Sequence, residues 1–148
     1  MLSRRAANLV DNAAVARLQT QLYATLDRSD RAVEVTLEYL RRVGVDWSPH
    51  PTEDEVRQEY ERIWRQLRSR RIEMLVDLPQ MTDPASRATL DVLTMVEESA
   101  HFTDQNLRCL IVARMANLSW INAIRVGKSR HLRRHLQRLV TRLISSTW

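Results

Sequence analysis

The chain has 148 residues, 44% hydrophobic and 28% charged, which is enough for one domain with an ordinary core. Two glycines and four prolines, with no clusters of β-branched residues, exclude an all-β sandwich. The longest apolar run, Cys109 to Ala113, is far shorter than the ~20 residues of a membrane span. A single cysteine and an N-terminus without a signal peptide's apolar stretch favour a reducing compartment. We therefore expect a cytoplasmic, helical protein with no membrane span.

The charge is distributed unevenly along the chain. Its net value is +5, but all 18 acidic residues lie at or before Asp104. Residues 1–104 carry −4 and residues 105–148 carry +9. Such a division is typical of a basic tail that binds nucleic acid or an anionic membrane, or of a segment with a different origin.

The first 44 residues predict a helical hairpin. A first helix from about Asn12 to Leu26 has helically spaced apolar residues at Val15, Leu18, Leu22 and Leu26. After a polar turn, Ser29 or Asp30 is expected to cap a second helix that ends at Gly44. That helix has two apolar faces, as expected of a helix packed on both sides: Ala32, Val35, Thr36, Tyr39, Leu40 and Val43 on one, Val33 and Leu37 on the other.

Further helices follow a stiff loop that contains Pro49 and Pro51. Thr52 and Glu55 form a capping box in front of a stripe at Val56, Tyr60, Ile63, Trp64 and Leu67. A short helix is predicted over 72–77, and Asp83-Pro84 predicts the cap and first residue of the next one. Thr103 is expected to cap a helix through Leu118, and a last amphipathic helix is predicted over 129–144. The result is an all-α fold of six to seven helices.

The predicted hairpin has one feature of a tetratricopeptide repeat. Tyr23 and Ala32 are nine residues apart, as the corresponding Tyr and Ala of such a repeat are, although the Trp and Gly positions of the signature are not matched.

No segment carries a complete catalytic or cofactor motif. Gly127-Lys128-Ser129 ends like a phosphate-binding loop, but Asn122 stands where the first glycine is required. His131 and His135 have a zinc-binding spacing, yet two arginines and no acid lie between them. We interpret both histidines as solvated, and we predict no catalytic, cofactor-binding or metal site.

Cysteine and acidic residues are two further residue types that can carry chemistry. Cys109 lies in an apolar run and is interpreted as a buried, inert thiol rather than a nucleophile. The acidic clusters at 53–55, 59–61 and 97–98 are interpreted as solvated or capping residues rather than acid–base catalysts. The basic segment 105–148, with Trp120 and Trp148, allows an alternative function in nucleic-acid binding.

Four stretches resemble a known family. They are YLRRVGVDWSPHPTE at 39–53, EVRQEYERIWRQL at 55–67, the run from Leu75 to Leu93 with LVDLP, MTDP and ATLDVL, and the run from Phe102 to Ser119 with FTDQNL and RMANLS. Together they resemble bacterial multidomain proteins that combine a serine/threonine kinase, an AAA-type ATPase and a sensor histidine kinase. The similar region, residues 2–119, corresponds to the tetratricopeptide-like helical region between the ATPase module and the GAF and histidine-kinase modules.

The resemblance implies a non-catalytic scaffold or interaction segment, a fragment of a signal-transduction kinase whose partners are proteins or neighbouring domains. ATP and Mg²⁺ would belong to the family's other modules, so no site residue transfers to this chain. Glu97, Glu98 and Arg108 depart from the family pattern, where apolar residues are expected. The likeness ends at Ser119, and we interpret residues 120–148 as a divergent basic tail, arising from a frameshift or recombination.

Overall fold

The computed structural model describes residues 2–68 and 83–123, and these form five α-helices without a strand. The helices are α1 (Leu2–Thr25), α2 (Ser29–Arg42), α3 (Glu53–Arg68), α4 (Pro84–Thr103) and α5 (Gln105–Ala123). The expectation of an all-α fold is confirmed. The predicted helices over 72–77 and 129–144 lie outside the described residues.

Helix α1 begins at Leu2 rather than near Asn12, and it ends in a tight turn onto α2. The amide of Arg28 donates to the carbonyl of Tyr23 at 2.8 Å and that of Asp27 to Ala24 at 3.1 Å. This is the Schellman arrangement, with Asp27 in the left-handed conformation at φ 60°. The N-cap of α2 is Arg28, without a side-chain cap. The prediction that Ser29 or Asp30 caps this helix is therefore wrong.

The turn that ends helix α2 contains Gly44, the glycine at which the sequence predicts the end of this helix. The amide of Val45 donates to the carbonyl of Leu40 at 2.9 Å, and that of Gly44 donates to Arg41 at 3.1 Å. Gly44 has φ 88°, a conformation that a side chain disfavours. The chain then leaves the helix, and Val45 and Trp47 pack against the hydrophobic core.

The two predicted caps of α3 and α4 are confirmed. The Thr52 amide donates to Glu55 Oε2 at 2.7 Å, and the Glu55 amide donates to Thr52 Oγ1 at 3.3 Å, which completes the capping box. Asp83 accepts from the amides of Ala85 and Ser86. These caps satisfy amides at helix starts that have no partner within the helix.

A single residue, Asp104, separates α4 from α5. Its carboxylate accepts from the amide of Leu107 at 2.9 Å and thus caps α5. Thr103 is the last residue of α4, and its hydroxyl donates back to the carbonyls of Ser99 and Ala100. The predicted cap at Thr103 is therefore wrong by one residue.

Helices α1, α2 and α4 pack against one another, α5 packs on α4, and α3 packs on α5. Helix α2 therefore has neighbours on two sides, as its two apolar faces predicted. The main core contains Leu40, Val92, Leu93, Val96, Leu107 and Ile111, all nearly inaccessible to solvent. Tyr39 near the end of α2 and Thr89 near the start of α4 share a hydrogen bond of 2.8 Å.

Helix α3 departs from a simple succession of helix pairs. Residues further along α3 contact residues further along α5. The carbonyl of Pro51, just before α3, accepts from Asn106, and Glu59 contacts Arg114 and Asn117. The two helices are therefore parallel. In the described ranges, no helix is both long and apolar enough to cross a membrane.

Candidate protein-interaction face

One face of α1 is apolar and open to solvent. Val15, Leu18, Leu22 and Leu26 are 55%, 60%, 56% and 59% exposed, and we call these four residues the outer face of α1. They are four of the five large apolar side chains exposed in the described part of the chain; the fifth is Phe102, at the end of α4. Large apolar side chains that cluster on one face mark a contact surface more often than scattered ones do.

The opposite face of α1 is buried and consists of small residues. Ala13, Ala16 and Thr20 are the inward positions, each two residues before a member of the outer face. Two residues correspond to about 200° around a helix, so the two faces point in opposite directions. Thr20 Oγ1 contacts Thr36 Oγ1 of α2 at 3.1 Å. Small side chains let α1 approach α2 and α4 closely, and the larger apolar residues are left outside.

The edges of the outer face are uncharged. Asn12, Ala14, Gln19 and Gln21 flank it and are exposed. Asp11 lies one turn before Val15, at the N-terminal end of the face, and Arg17 lies one turn before Gln21. An apolar strip with neutral polar edges is typical of the centre and rim of a protein interface rather than of an anion-binding surface.

A buried polar cluster joins α3 to α5. Glu59 Oε1 accepts from Asn117 Nδ2 at 2.7 Å and lies 3.3 Å from Arg114 Nη1, and Arg62 Nη1 is 3.5 Å from Glu59 Oε2. Asn117 Nδ2 also donates to the Glu59 carbonyl at 3.0 Å, while its Oδ1 is buried without a hydrogen-bond partner. The interpretation of Glu59 as a solvated or capping residue is wrong, because its side chain is buried in the middle of α3. Its spacing, three residues after Val56 and four before Ile63, places Glu59 on the buried apolar face of α3, and this was the signal that could have predicted its burial.

Glu97 of α4 and Arg108 of α5 contact each other. Arg108 Nε donates to Glu97 Oε1 at 2.8 Å, and about four-fifths of each side chain is shielded. The pair links α4 to α5 across their one-residue junction. Glu97 is therefore committed to an ion pair, whereas Glu98 is exposed.

A second contact fixes the loop before α3 to the α4–α5 junction. His50 Nδ1 is 2.9 Å from Asp104 Oδ2, and Asn106 Nδ2 donates to the Pro51 carbonyl at 3.1 Å. The hydrogen bond with His50, together with that from the Leu107 amide, lowers the pKa of Asp104. The carboxylate is therefore held in its charged form, which suits a helix N-cap.

Cys109 lies half-buried on α5. Burial raises the pKa of its thiol, and Gln105 Nε2 lies 3.9 Å from the sulfur. A raised pKa disfavours the nucleophilic thiolate. Over the described ranges, no three His, Cys, Asp or Glu side chains are grouped so as to hold a metal ion. The partial phosphate loop and the histidines at 131 and 135 lie outside those ranges.

We compared the chain with known proteins in three ways. No protein-family model matches it, and no curated protein and no solved structure shows significant similarity to it.

Proposed function

We propose that this chain is a non-catalytic helical interaction segment that acts by presenting the outer face of α1 to another protein. The observation that carries the proposal is the orientation of α1, whose small residues are buried while Leu18 and Leu22 are exposed. Leaving large apolar side chains in water forgoes about 0.8 kcal/mol per CH₂ that burial against a partner would provide.

The helix contacts support a tetratricopeptide-like arrangement within this proposal. Helices α1 and α2 form one hairpin, α4 and α5 form another, and α4 packs against both helices of the first. Stacked repeats have these contacts between successive pairs. On this interpretation α3 belongs to an insertion between the pairs, packed on α5, and residues 1–119 form the helical-repeat segment.

The family resemblance supplies the proposed setting, a multidomain signalling kinase. Its ATP-dependent activities would reside in other modules, and the segment would connect or position them. The contact between Glu97 and Arg108 supports this interpretation, because two charged departures from an apolar pattern compensate each other in space.

The alternative, nucleic-acid binding through residues 105–148, gains little from the described residues. Arg108 and Arg114 are the two basic residues of that segment within the described ranges, and they pair with Glu97 and Glu59. Their charges are thus neutralised locally rather than presented to phosphate. Binding through the remaining basic residues would weaken steeply as salt rises, which a titration with duplex DNA at two salt concentrations measures.

Site-specific photo-crosslinking tests the proposed function. A photoreactive amino acid is placed at position 18 of the full chain in its native host cells, and crosslinked products are identified by mass spectrometry. We expect one discrete protein adduct that Leu22→Glu abolishes. The matched control places the same group at the exposed Glu34 of α2, where we expect no discrete adduct. Absence of an adduct at position 18 would refute the proposal.

A further inference from the structure

We infer that α3 is a displaceable cover, and that the face of α5 beneath it is a docking surface for a helix of another protein. This face contains Ala113, Arg114, Ala116 and Asn117, and we call these four residues the α3 seat. The helix that fits the seat is amphipathic and presents a carboxylate followed, four residues later, by a branched apolar side chain. The inference is independent of the outer face of α1, which belongs to a different helix.

Helix α3 shows what the seat accepts. Glu59 Oε1 accepts from Asn117 Nδ2 at 2.7 Å and lies 3.3 Å from Arg114 Nη1. One turn further on, Ile63 packs against the two alanines of the seat, whose small side chains allow the helices to approach closely. A competing helix must reproduce both contacts, because Arg114 and Asn117 would otherwise lose their buried acceptor.

The contacts that hold α3 are largely polar, which makes α3 easier to displace than the other helices. Within residues 53–63, Ile63 is the one large apolar side chain that is buried, whereas Val56 and Tyr60 are half-buried. Helix α2, in contrast, buries a valine, two leucines and a tyrosine over 14 residues. Apolar burial is lost outright when helices separate, whereas a polar contact is replaced by one to water or to a competing helix.

The α3 seat does not need α3 to stay in place, because α5 is anchored on another face. Leu107, Ile111 and Met115 of α5 belong to the main core. They recur every four residues and so lie along one side of the helix. Ala113 follows Ile111 by two residues, or about 200° around the helix, so the seat lies on the opposite side.

The connection from α2 is long enough for α3 to move away. Val45 and Trp47 pack against the main core, and residues 48–52 lead from there to α3. Two polar contacts, from His50 and to the Pro51 carbonyl, fix this connection to the α4–α5 junction. Five extended residues span up to about 17 Å, more than the roughly 8–10 Å between the axes of packed helices. Release of the two contacts therefore lets α3 leave α5 without a change in α2.

The seat favours a helix of another protein over α3 of a second copy. The resident α3 is tethered to its own seat at an effective concentration of roughly millimolar, so a second copy at micromolar concentration does not displace it. A successful competitor needs a contact that α3 leaves unmade. Asn117 provides one, because its Oδ1 is buried without a hydrogen-bond partner. A donor side chain on the competing helix would satisfy this oxygen.

Binding of a labelled peptide to the full chain tests the inference. The probe is a fluorescein-labelled peptide of residues 51–68, which includes the capping box of α3, and fluorescence anisotropy measures its dissociation constant. The chain variant Glu59→Ala/Ile63→Ala weakens the resident helix and leaves the α3 seat unchanged. It should bind the peptide at least about tenfold more tightly than the wild-type chain, because the tethered competitor is weakened. Equal affinity of the two chains would overturn the inference.

Matched variants test the chemistry of the seat. In the Glu59→Ala/Ile63→Ala chain, a peptide with Glu59→Ala should bind at least about tenfold more weakly than the unmodified peptide. A peptide with Glu61→Ala, which changes an exposed glutamate, is the control and should bind unchanged. Arg114→Ala added to the chain should weaken the unmodified peptide to a similar extent. Binding that neither Glu59→Ala in the peptide nor Arg114→Ala in the chain weakens would overturn the inference.

Two measurements on the wild-type chain test the inference without the double variant. In hydrogen exchange, the amides of α3 should exchange faster than those of α2, since α3 opens separately. Protection of α3 equal to that of α2 would overturn the inference. Sedimentation velocity over the micromolar range should show a monomer. A dimer that Glu59→Ala abolishes would identify α3 of a second copy as the occupant and would overturn the assignment to another protein.

Discussion

Two of the helix contacts in this molecule differ in chemistry. The interface of α1, α2 and α4 is mostly apolar, with Leu40, Leu93 and Val96 at its centre. Its polar contacts include the hydroxyl pairs Thr20–Thr36 and Tyr39–Thr89 and the Arg31 guanidinium over the Tyr23 ring. The contact between α3 and α5 has a small apolar cluster of Ile63, Ala113 and Ala116, beside the charged cluster of Glu59 and Arg114.

Burial and helix register are therefore supplied by different groups in this molecule. Apolar area stabilises roughly in proportion to its size and tolerates sliding. A carboxylate that must meet an arginine and an amide at the same time does not tolerate it, because a shift of one turn leaves buried polar groups without partners. The apolar interface therefore provides most of the stability, and the Glu59 cluster fixes how α3 lies on α5.

The largest effect is expected from truncation of the apolar interface. Leu40→Ala removes a side chain that is fully buried and should lower the free energy of unfolding by about 2–5 kcal/mol. Leu18→Ala makes the same chemical change on the outer face of α1 and should change it by less than about 0.5 kcal/mol at low protein concentration. Denaturant titrations followed by circular dichroism compare the two. Similar losses in both variants would contradict the orientation of α1.

Removal of the Glu59 carboxylate should have a smaller and more local effect. Glu59→Ala leaves Arg114 and Asn117 without their buried acceptor and should cost about 1–3 kcal/mol. Hydrogen exchange should accelerate in α3 more than in α1 or α2, because α3 depends on this contact. Glu61→Ala, an exposed glutamate on the same helix, is the matched control. Uniform acceleration of hydrogen exchange in all helices would contradict the assignment of a local role to the Glu59 cluster.

The junction at Asp104 makes a pH-dependent contribution. Because the pKa of Asp104 is lowered in the folded state, its stabilisation is complete above the unfolded pKa of about 3.9 and is lost as the pH falls through the lower folded value. Asp104→Asn keeps a capping group without the charge and should cost about 1 kcal/mol near neutrality. The difference from the wild type should shrink below about pH 4. Thermal melts across this range measure it, and a constant difference would contradict the assignment.

The turns at Asp27 and Gly44 have the same Schellman hydrogen bonds. They provide the comparison with the smallest expected effect. Gly44→Ala places a side chain at φ 88° and should destabilise by about 1 kcal/mol, with no steric clash since nothing lies within 4 Å of the added Cβ. Asp27→Gly relieves the same strain at φ 60° and should stabilise by about 0.5 kcal/mol. Melting temperatures should therefore shift in opposite directions. Shifts of the same sign would show that these turns are not equivalent.

Of the candidate interaction face, the sequence indicated the residues but not their environment. The spacing of Val15, Leu18, Leu22 and Leu26 correctly predicts one continuous apolar face. Helical spacing alone does not show which way the face turns, and the structure turns it toward solvent. The Glu59 cluster was missed because its partners lie 55 and 58 residues away, and helical spacing carries no information about contacts at that separation.

The helices and several of their ends could be predicted from local sequence. The Thr52–Glu55 box, the Asp83-Pro84 start and Gly44 act through hydrogen bonds and backbone angles within a few residues, so local chemistry was sufficient. The buried side of α1 and the pairing of α3 with α5 depend on tertiary packing. Close packing of α1 against two helices requires the small side chains of Ala13, Ala16 and Thr20. That requirement exists only once α2 and α4 are in place.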